Sequence, residues 1–380
     1  MAQTVLLKDV VQINPTTSLK KGEIVKFVSM DKLEPYKRKI SSYNIKNFSG
    51  GMKFKNKDIL LARITPCLEN GKTAQVDFLD EDEVGAGSTE YVVLRAKDGV
   101  TDANFVYYLS ISPDFRRHAI KSMIGTSGRQ RIQNEMLAQM RFELPTLVTQ
   151  QKIGNILGAI DEKIELNMRM NETLEQMGQA LFRHYFITNP AAENWEEESL
   201  DEVTDFLNGL AMQKYPKVQG QPTLPVIKIR EMSSGITPNT DIASSAIPEK
   251  YIISNGDLLF SWSGTLLVKF WSEGKGALNQ HLFKVTSSGY PEWFYYHWIN
   301  YHLADFIRTA KSKATTMGHI QRKHLHQAKV RVPGKTLLLE IGTQIQPLID
   351  QIKRNDQEIQ TLTTLRNTLL PRLISGKLKL

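Results

Sequence analysis

The amino-acid sequence contains the same long helical pattern twice. Residues 153–181 and 341–369 share one order of apolar positions, shifted by 188 residues. Each copy follows a segment of about 130 residues with strand signals, and an internal repeat of this length fixes the architecture before any single motif does. The repeat predicts an α+β fold with pseudo-twofold symmetry, in which two repeated α/β modules are joined by two long helices.

The two copies divide the 380-residue chain into five segments. We predict a first module over 1–145, a central helical spacer over 146–187, a linker over 188–198, a second module over 199–333 and a C-terminal helical spacer over 334–380.

The modules share landmarks in the same order. Residues 56–61 return as 255–260, residues 105–108 resemble 294–297, and Gly128 can be paired with Gly318. The shift falls from 199 at the first landmark to 189 and 190 at the other two and to 188 along the helices, so the second module has lost about 11 residues. A shared frame with different connecting segments is the layout expected when loops have different targets.

Turn and spacing signals predict the main elements of the first module. Short strands are expected over residues 24–29, 58–64, 72–78 and 90–95. A single helix is expected over residues 104–121, where aromatic and apolar residues follow helical spacing.

The repeated helical pattern has the spacing of a coiled coil. Its seam positions alternate steps of four and three residues over about four heptads. Asn167 and Asn355 occupy the same seam position in the two copies. A buried Asn can fix helix register, because each amide satisfies the other in one alignment only. We therefore predict an antiparallel coiled coil in which Asn167 and Asn355 approach each other; two ordinary amphipathic core helices are the alternative.

Composition and charge restrict the possible partners. The net charge of +8 and the isoelectric point near 9.2 favour a polyanion, either nucleic acid or an anionic membrane surface. No apolar run approaches the roughly 18 residues of a membrane span, and the first residues lack the pattern of a signal peptide. The single cysteine, Cys67, excludes disulfide frameworks and cysteine-rich zinc sites. We expect a cytoplasmic protein without a membrane partner.

Each module contains a long segment without acidic residues, between Asp114 and Glu135 and between Asp305 and Glu340. One such basic segment is usually a solvated face, but two at equivalent positions favour phosphate binding. Both segments include a Gly-containing loop with Arg, Gln or His side chains, and Arg and Gln suit bidentate contacts with guanine and adenine.

We predict DNA contacts at polar positions where the two modules differ on their common frame, and at basic positions of the two acid-free segments. In the first module these are Arg63, Thr65, Asn70, Lys72, Ser88, Thr89, Arg129, Gln130 and Arg131. In the second module they are Ser261, Trp262, Ser263, Asn279, Gln280, His281, Lys311, Lys313, Thr316, His319, Gln321 and Lys323.

The sequence lacks the nucleotide-binding and methyltransferase motifs that are typical of enzymes acting on nucleic acid. Residues 70–73 (NGKT) imitate the end of a phosphate-binding loop, but Pro66 stands where that motif requires Gly. Neither an Asn-Pro-Pro-aromatic motif for amino-group methylation nor a Gly-rich turn for S-adenosylmethionine is present. His324 and His326 have no third clustered ligand, so we predict no metal site. We expect a non-catalytic chain that itself binds no cofactor.

Several segments resemble the DNA specificity subunit of type I restriction–modification enzymes. Residues 58–72 (DILLARITPCLENGK) are similar to that family's target-recognition-domain motif, and so are residues 256–264 (GDLLFSWSG), with 278–284 (LNQHLFK) downstream. Residues 160–167 (IDEKIELN) resemble the start of its central helical region, and residues 370–378 (LPRLISGKL) resemble its C-terminal end. The resemblance covers essentially the whole chain in the family's order of motifs.

This resemblance implies that the modules are target recognition domains, each of which reads one half of a bipartite, asymmetric duplex DNA site. The helices would set the spacing and dock two modification subunits, which supply S-adenosylmethionine and adenine methylation. A separate restriction subunit would supply translocation and cleavage with ATP and Mg, in a system of phage defence. The alternative function is a coiled-coil interaction scaffold whose basic faces bind acidic proteins without reading DNA sequence.

Overall fold

The computed structural model describes residues 3–126, 128–312 and 318–380. They form two compact units: the first comprises Met1–Lys163 with Leu362–Leu380, and the second comprises Ile164–Thr361. Each unit therefore combines one module with part of both long helices.

The first module is built mainly from short strands. Its strands are β1 Gln3–Leu6, β2 Val11–Ile13, β3 Ile24–Val28, β4 Asn44–Asn47, β5 Met52–Phe54, β6 Ile59–Ala62, β7 Thr73–Gln75, β8 Gly85–Gly87, β9 Tyr91–Ala96, β10 Met123–Ile124, β11 Arg131–Ile132 and β12 Arg141–Leu144. The helices of this half of the chain are α1 Leu7–Val10, α2 Ala103–Ile111, α3 Pro113–Lys121, α4 Asn134–Ala138 and α5 Leu147–Phe182, the last followed by a π-helical turn over Arg183–Ile187.

The second module repeats this order without a counterpart of the β10–β11 hairpin among its described residues. Its strands are β13 Glu196–Ser199, β14 Asp205–Asn208, β15 Thr223–Ile227, β16 Ile242–Ser244, β17 Ile252–Ile253, β18 Leu258–Ser261, β19 Val268–Phe270, β20 Gly276–Leu278, β21 Leu282–Thr286 and β22 Lys329–Val332. The helices of this half are α6 Leu200–Val203, α7 Ile229–Ser234, α8 Glu292–Ser312, α9 Arg322–Gln327 and α10 Lys335–Ile374.

Each module contains two four-stranded sheets with equivalent strand orders. The orders are β2-β9-β6-β7 and β4-β3-β8-β5 in the first module, and β14-β21-β18-β19 and β16-β15-β20-β17 in the second. An antiparallel pair, β1 with β12 or β13 with β22, joins the beginning of each module to the strand before its long helix. β6 and β18 are inner strands buried along their whole length, as their apolar sequences predict. The predicted repeat of residues 56–61 at 255–260 is thus confirmed.

The helix predicted over residues 104–121 is in fact two helices. α2 ends at Ile111, and α3 begins at Pro113 with the Ser112 hydroxyl as its N-cap, accepting a hydrogen bond from the Phe115 amide (3.4 Å). Proline is favourable at the first position of a helix but breaks a helix in its interior. The prediction of one helix is wrong because residues 112 and 113 start a new helix.

The long helices α5 and α10 run antiparallel within the second unit. Asn355 Nδ2 donates to Asn171 Oδ1, and Asn167 Nδ2 donates to Glu358 Oε2, each at 2.8 Å. Residue numbers therefore fall along α10 as they rise along α5, which confirms the antiparallel pairing. Asn167 and Asn355 are both buried, as their seam positions predict.

The two seam asparagines do not bond to each other, and that part of the prediction is wrong. Asn355 is the repeat counterpart of Asn167, yet it faces Asn171, which lies about one turn further along α5. In an antiparallel pair of equal repeats, a residue meets its own counterpart only at the centre of the register. That centre lies between Asn167 and Asn171, so Asn167 and Asn355 are offset along the pair.

The end of each long helix completes a module core. Phe182 and Phe186, at the end of α5, pack with Trp298 in the core of the second module. Leu373 and Ile374, at the end of α10, are buried in the core of the first module. Each module thus depends on a helix that follows the other module in the sequence.

A buried polar group attaches both helices to the first module. Asp161 on α5 accepts hydrogen bonds from the Tyr108 hydroxyl (2.7 Å) and from Arg366 Nη1 on α10 (2.8 Å). The side chains of Asp161 and Arg366 are only 9% and 13% exposed, so water cannot easily replace either partner.

The corresponding contact in the second unit is a stack of aromatic rings. His297, the counterpart of Tyr108, stacks on Phe182 with ring centroids 5.5 Å apart. Its imidazole also lies against Gly178, where a Cβ atom would come within 2.9 Å of the ring. Burial lowers the pKa of His297 to about 4, so this imidazole is neutral at pH 7.

Removing the Asp161 carboxylate should destabilise the first unit. Asp161→Ala leaves the Arg366 guanidinium buried without its counter-charge, a change that costs about 3–5 kcal/mol in the free energy of unfolding. Urea unfolding followed by circular dichroism measures this loss. The matched variant Asp114→Ala removes the exposed partner of Arg117 in the same unit and should change little. Equal unfolding midpoints for the two variants would contradict the role given to Asp161.

Candidate nucleic-acid interface

Three segments of the first module meet at the end of β6. The Arg63 amide donates to the Glu90 carbonyl (2.9 Å), and the Ile132 amide donates to the Arg63 carbonyl (2.9 Å). The Thr65 amide donates to the Gln130 carbonyl (3.0 Å). We call these residues (63–65, 90 and 130–132) the first junction. It brings together predicted DNA-contact residues from distant parts of the sequence.

The second module builds the same arrangement at the end of β18. The Trp262 amide donates to the His281 carbonyl (3.4 Å), and the Ile320 amide donates to the Trp262 carbonyl (2.9 Å). The Gly264 amide donates to the Gly318 carbonyl (2.9 Å). We call these residues (262–264, 281 and 318–320) the second junction.

The two junctions share a backbone and differ in their side chains. Equivalent hydrogen bonds and β-bridges pair three positions, namely Arg63 with Trp262, Glu90 with His281, and Arg131 with His319. The repeat in the sequence does not show that these three positions converge, because each lies on a different segment.

The same hydrogen bonds correct one predicted equivalence. Gly318 corresponds to Gln130, since each supplies the carbonyl that accepts the amide bond at its junction. The predicted pairing of Gly318 with Gly128 is therefore wrong. Any residue can supply a backbone carbonyl. The presence of a glycine in both loops therefore did not identify the equivalent position.

The first junction presents a charged pair. Arg131 donates to the Glu90 carboxylate from Nε (3.0 Å to each oxygen) and from Nη2 (2.7 Å to Oε1). These hydrogen bonds lower the pKa of the Glu90 carboxyl, so the pair stays charged at neutral pH. Arg63 instead directs Nη2 to the Ile132 carbonyl (3.0 Å) and supports the junction backbone. Glu90 is a site residue that sequence reasoning missed, because only the fold brings it to Arg131.

The second junction presents aromatic rings and imidazoles. The Trp262 ring centroid lies 5.7 Å from that of His281 and 6.3 Å from that of His319. Trp262 Nε1 donates to Asn208 Oδ1 (3.0 Å), and the Ser263 hydroxyl lies 3.0 Å from His281 Nδ1. Asn208, at the end of β14, is a second residue that sequence reasoning missed. This junction therefore differs from the first in charge as well as in shape.

Three predicted contact residues have internal roles. Ser261 and Asn279 are buried; the Ser261 hydroxyl donates to the Thr265 carbonyl (2.7 Å), and Asn279 Oδ1 accepts from the His281 amide (3.3 Å). Lys72 Nζ donates to the Met30 carbonyl (2.8 Å). We therefore assign these side chains to the support of the modules rather than to DNA contact.

The other predicted residues lie beside the junctions or apart from them. Ser88 supports residue 90 through a hydrogen bond from the Glu90 amide to its hydroxyl (3.1 Å), and Gln280 lies next to His281. Lys311 lines a cavity of about 300 Å³ together with Gly264 and Gly318, which places it at the second junction. The remaining described side chains are exposed, and they are Asn70, Thr89, Arg129, Gln321 and Lys323. Lys313 and Thr316 lie outside the described residues.

Two further features of the described residues concern metal binding and membrane insertion. Within those residues no cluster of three or more His, Cys, Asp or Glu side chains could hold a metal ion. Nor does any described helix combine the length and apolar character that a membrane span requires.

The fold and the two junctions define a protein with two equivalent modules whose corresponding surfaces differ in chemistry. The family model of the type I restriction modification DNA specificity domain matches residues 2–176 and again residues 192–364. The chain therefore belongs to this family, as its sequence motifs predict.

Known relatives and a solved structure agree with this assignment. The chain is 23% identical over 309 residues to the type I restriction enzyme MjaIX specificity subunit of Methanocaldococcus jannaschii, covering 74% of this chain and 70% of that protein. It is 21% identical over 419 residues to the HindI specificity subunit of Haemophilus influenzae, covering 88% and 90%. The crystal structure of the type I S subunit from M. genitalium has the same fold, with a TM-score of 0.61, 15% identity and coverage of 98% and 96%.

Proposed function

We propose that this chain is the DNA-reading subunit of a type I restriction–modification complex. Each module binds one half of a bipartite, asymmetric duplex site, and each junction lies at the DNA surface of its module. The positive net charge supplies attraction to phosphates that does not depend on sequence. The side chains of the junctions then discriminate between base pairs.

One observation supports this proposal most strongly. The two modules repeat the backbone of the junction bond by bond, yet the converging side chains are Arg63, Glu90 and Arg131 in one and Trp262, His281 and His319 in the other. A scaffold that bound acidic surfaces would have no need of two chemically different sites on one frame. Two modules that read different half-sites require this difference.

The proposal includes the partners of the complex. Two modification subunits dock on the long helices and methylate adenine with S-adenosylmethionine, and restriction subunits use ATP and Mg. In this scheme the present chain supplies recognition and no catalytic group.

Sequencing of methylated sites in a host that expresses this chain with its modification subunit tests the proposal. We expect methylated adenines within one motif made of two defined halves and an undefined spacer. The same host with the modification subunit alone is the control and should lack the motif. A purified complex that binds every duplex alike would instead support the scaffold alternative.

A further inference from the structure

We propose that Arg131 reads a guanine in the half-site bound by the first module, and that Glu90 is the residue that positions its guanidinium. This inference rests on the proposed function and adds to it one base, one half-site and a pair of residues.

The geometry of the ion pair leaves one side of the guanidinium free for a base. The Glu90 carboxylate takes the edge formed by Nε and Nη2. The hydrogen bonds to Glu90 do not use Nη1, and within the planar guanidinium the second N–H of Nη2 is parallel to one N–H of Nη1. These two parallel donors match the N7 and O6 acceptors that guanine presents in the major groove.

The ion pair is accessible to a base, and the Glu90 carboxylate limits the movement of the Arg131 side chain. The side chains of Arg131 and Glu90 are 42% and 26% exposed, so a base edge can reach the guanidinium. A free arginine side chain must lose rotamer freedom when it binds, whereas one held by a bidentate carboxylate has already lost most of it. Glu90 thus raises the discrimination that Arg131 achieves without itself needing to touch the base.

The second junction shows that the ion pair is not needed to hold the three segments together. There, backbone hydrogen bonds join the same three segments although His281 and His319 replace Glu90 and Arg131. The fold of the junction therefore does not require an ion pair at these positions. A guanidinium is present at this position of the first junction only, so we assign the guanine contact to the first half-site.

Three variants test the inference in the full chain with its modification subunit. Arg131→Lys keeps the charge but loses the two parallel donors, Glu90→Gln keeps the size but loses the charge that holds Arg131, and Arg141→Lys is the control. Arg141 is an exposed arginine on β12 of the same module, and it lies outside both the junction and the acid-free segment. The methylated motif and binding to a non-specific duplex at several salt concentrations are measured for each variant.

Arg131→Lys should reduce the preference for guanine at one position of one half-site by about tenfold to a hundredfold. Non-specific binding and its salt dependence should stay unchanged, because the positive charge is kept. Glu90→Gln should weaken the preference at the same position by a smaller factor. Arg141→Lys should leave the motif as it is.

Several results would overturn the inference. They are an unchanged motif in Arg131→Lys, a change at a position other than a guanine, a change in the second half-site, or equal loss of binding to all duplexes, which would identify a phosphate contact. Circular dichroism shows whether each variant is folded, and Glu90→Gln provides a second test if Arg131→Lys is not. If the wild-type chain gives no defined methylated motif, the proposed function itself is refuted. If it gives a defined motif that neither Arg131→Lys nor Glu90→Gln changes, only the guanine assignment is refuted.

Discussion

Leu373→Ala should destabilise the first unit by about 2–5 kcal/mol, the usual cost when a buried leucine is truncated and leaves a cavity. Leu373 lies at the end of α10 and is 1% exposed in the core of the first module. It belongs to the helix that follows the second module, so a loss confined to the first unit would demonstrate the exchange of helix ends between the repeats.

The distribution of tryptophan makes this loss measurable for each unit. All five tryptophans lie between residues 195 and 298, within the second unit, so their fluorescence reports on that unit alone. Circular dichroism reports on both units. In Leu373→Ala, urea should unfold the first unit earlier by circular dichroism and leave the fluorescence midpoint in place.

Leu378→Ala is the matched control, because Leu378 follows the helix and is 41% exposed. It should leave both midpoints nearly unchanged. If Leu373→Ala behaves like Leu378→Ala, the end of α10 does not complete the core of the first module. If it lowers the fluorescence midpoint instead, the helix end stabilises the second unit.

The architecture of this chain could be predicted because the sequence contains periodic and repeated patterns. The seam positions predicted the two long helices. The repeat of residues 56–61 at 255–260 predicted the equivalence of β6 and β18. Apolar periodicity is a local property of the sequence, so it predicts helices and strands well. The break at Ser112 and Pro113 was also visible in the sequence, but the helical spacing across it hid the new helix start.

The register of the coil and the partners of the site residues could not be predicted in this way. The spacing of Asn167 and Asn355 does not say where the centre of an antiparallel pair lies, and the structure places Asn171 opposite Asn355. Glu90 meets Arg131 only because β9 and the segment at residue 131 end beside β6. Such contacts depend on sheet order, which a single sequence does not contain.

Polar residue type was a weak guide to the surface of the modules. Ser261 and Asn279 have the side chains of base-contact residues, yet both are buried and bonded within the second module. Turns at strand ends need the same hydroxyl and amide groups that DNA recognition uses. Only burial and hydrogen-bond partners separate these two roles.

The largest functional effect is expected from an exchange of one module. Replacing residues 199–333 by the same segment of a relative should change one half of the methylated motif and leave the other half as it is. The relative should keep large aromatic residues at the positions of Phe182 and Phe186, because these side chains complete the core of the second module. The spacer between the half-sites should stay the same, since the long helices are unchanged.

Sequencing of methylated sites in hosts that express this chimaera, and the reciprocal exchange of residues 1–145, tests most directly whether the modules read DNA separately. We expect each exchange to replace a different half of the motif, and the two results together to reconstruct the whole site. A change of both halves by one exchange, or of neither half by a folded chimaera, would contradict separate reading by the two modules.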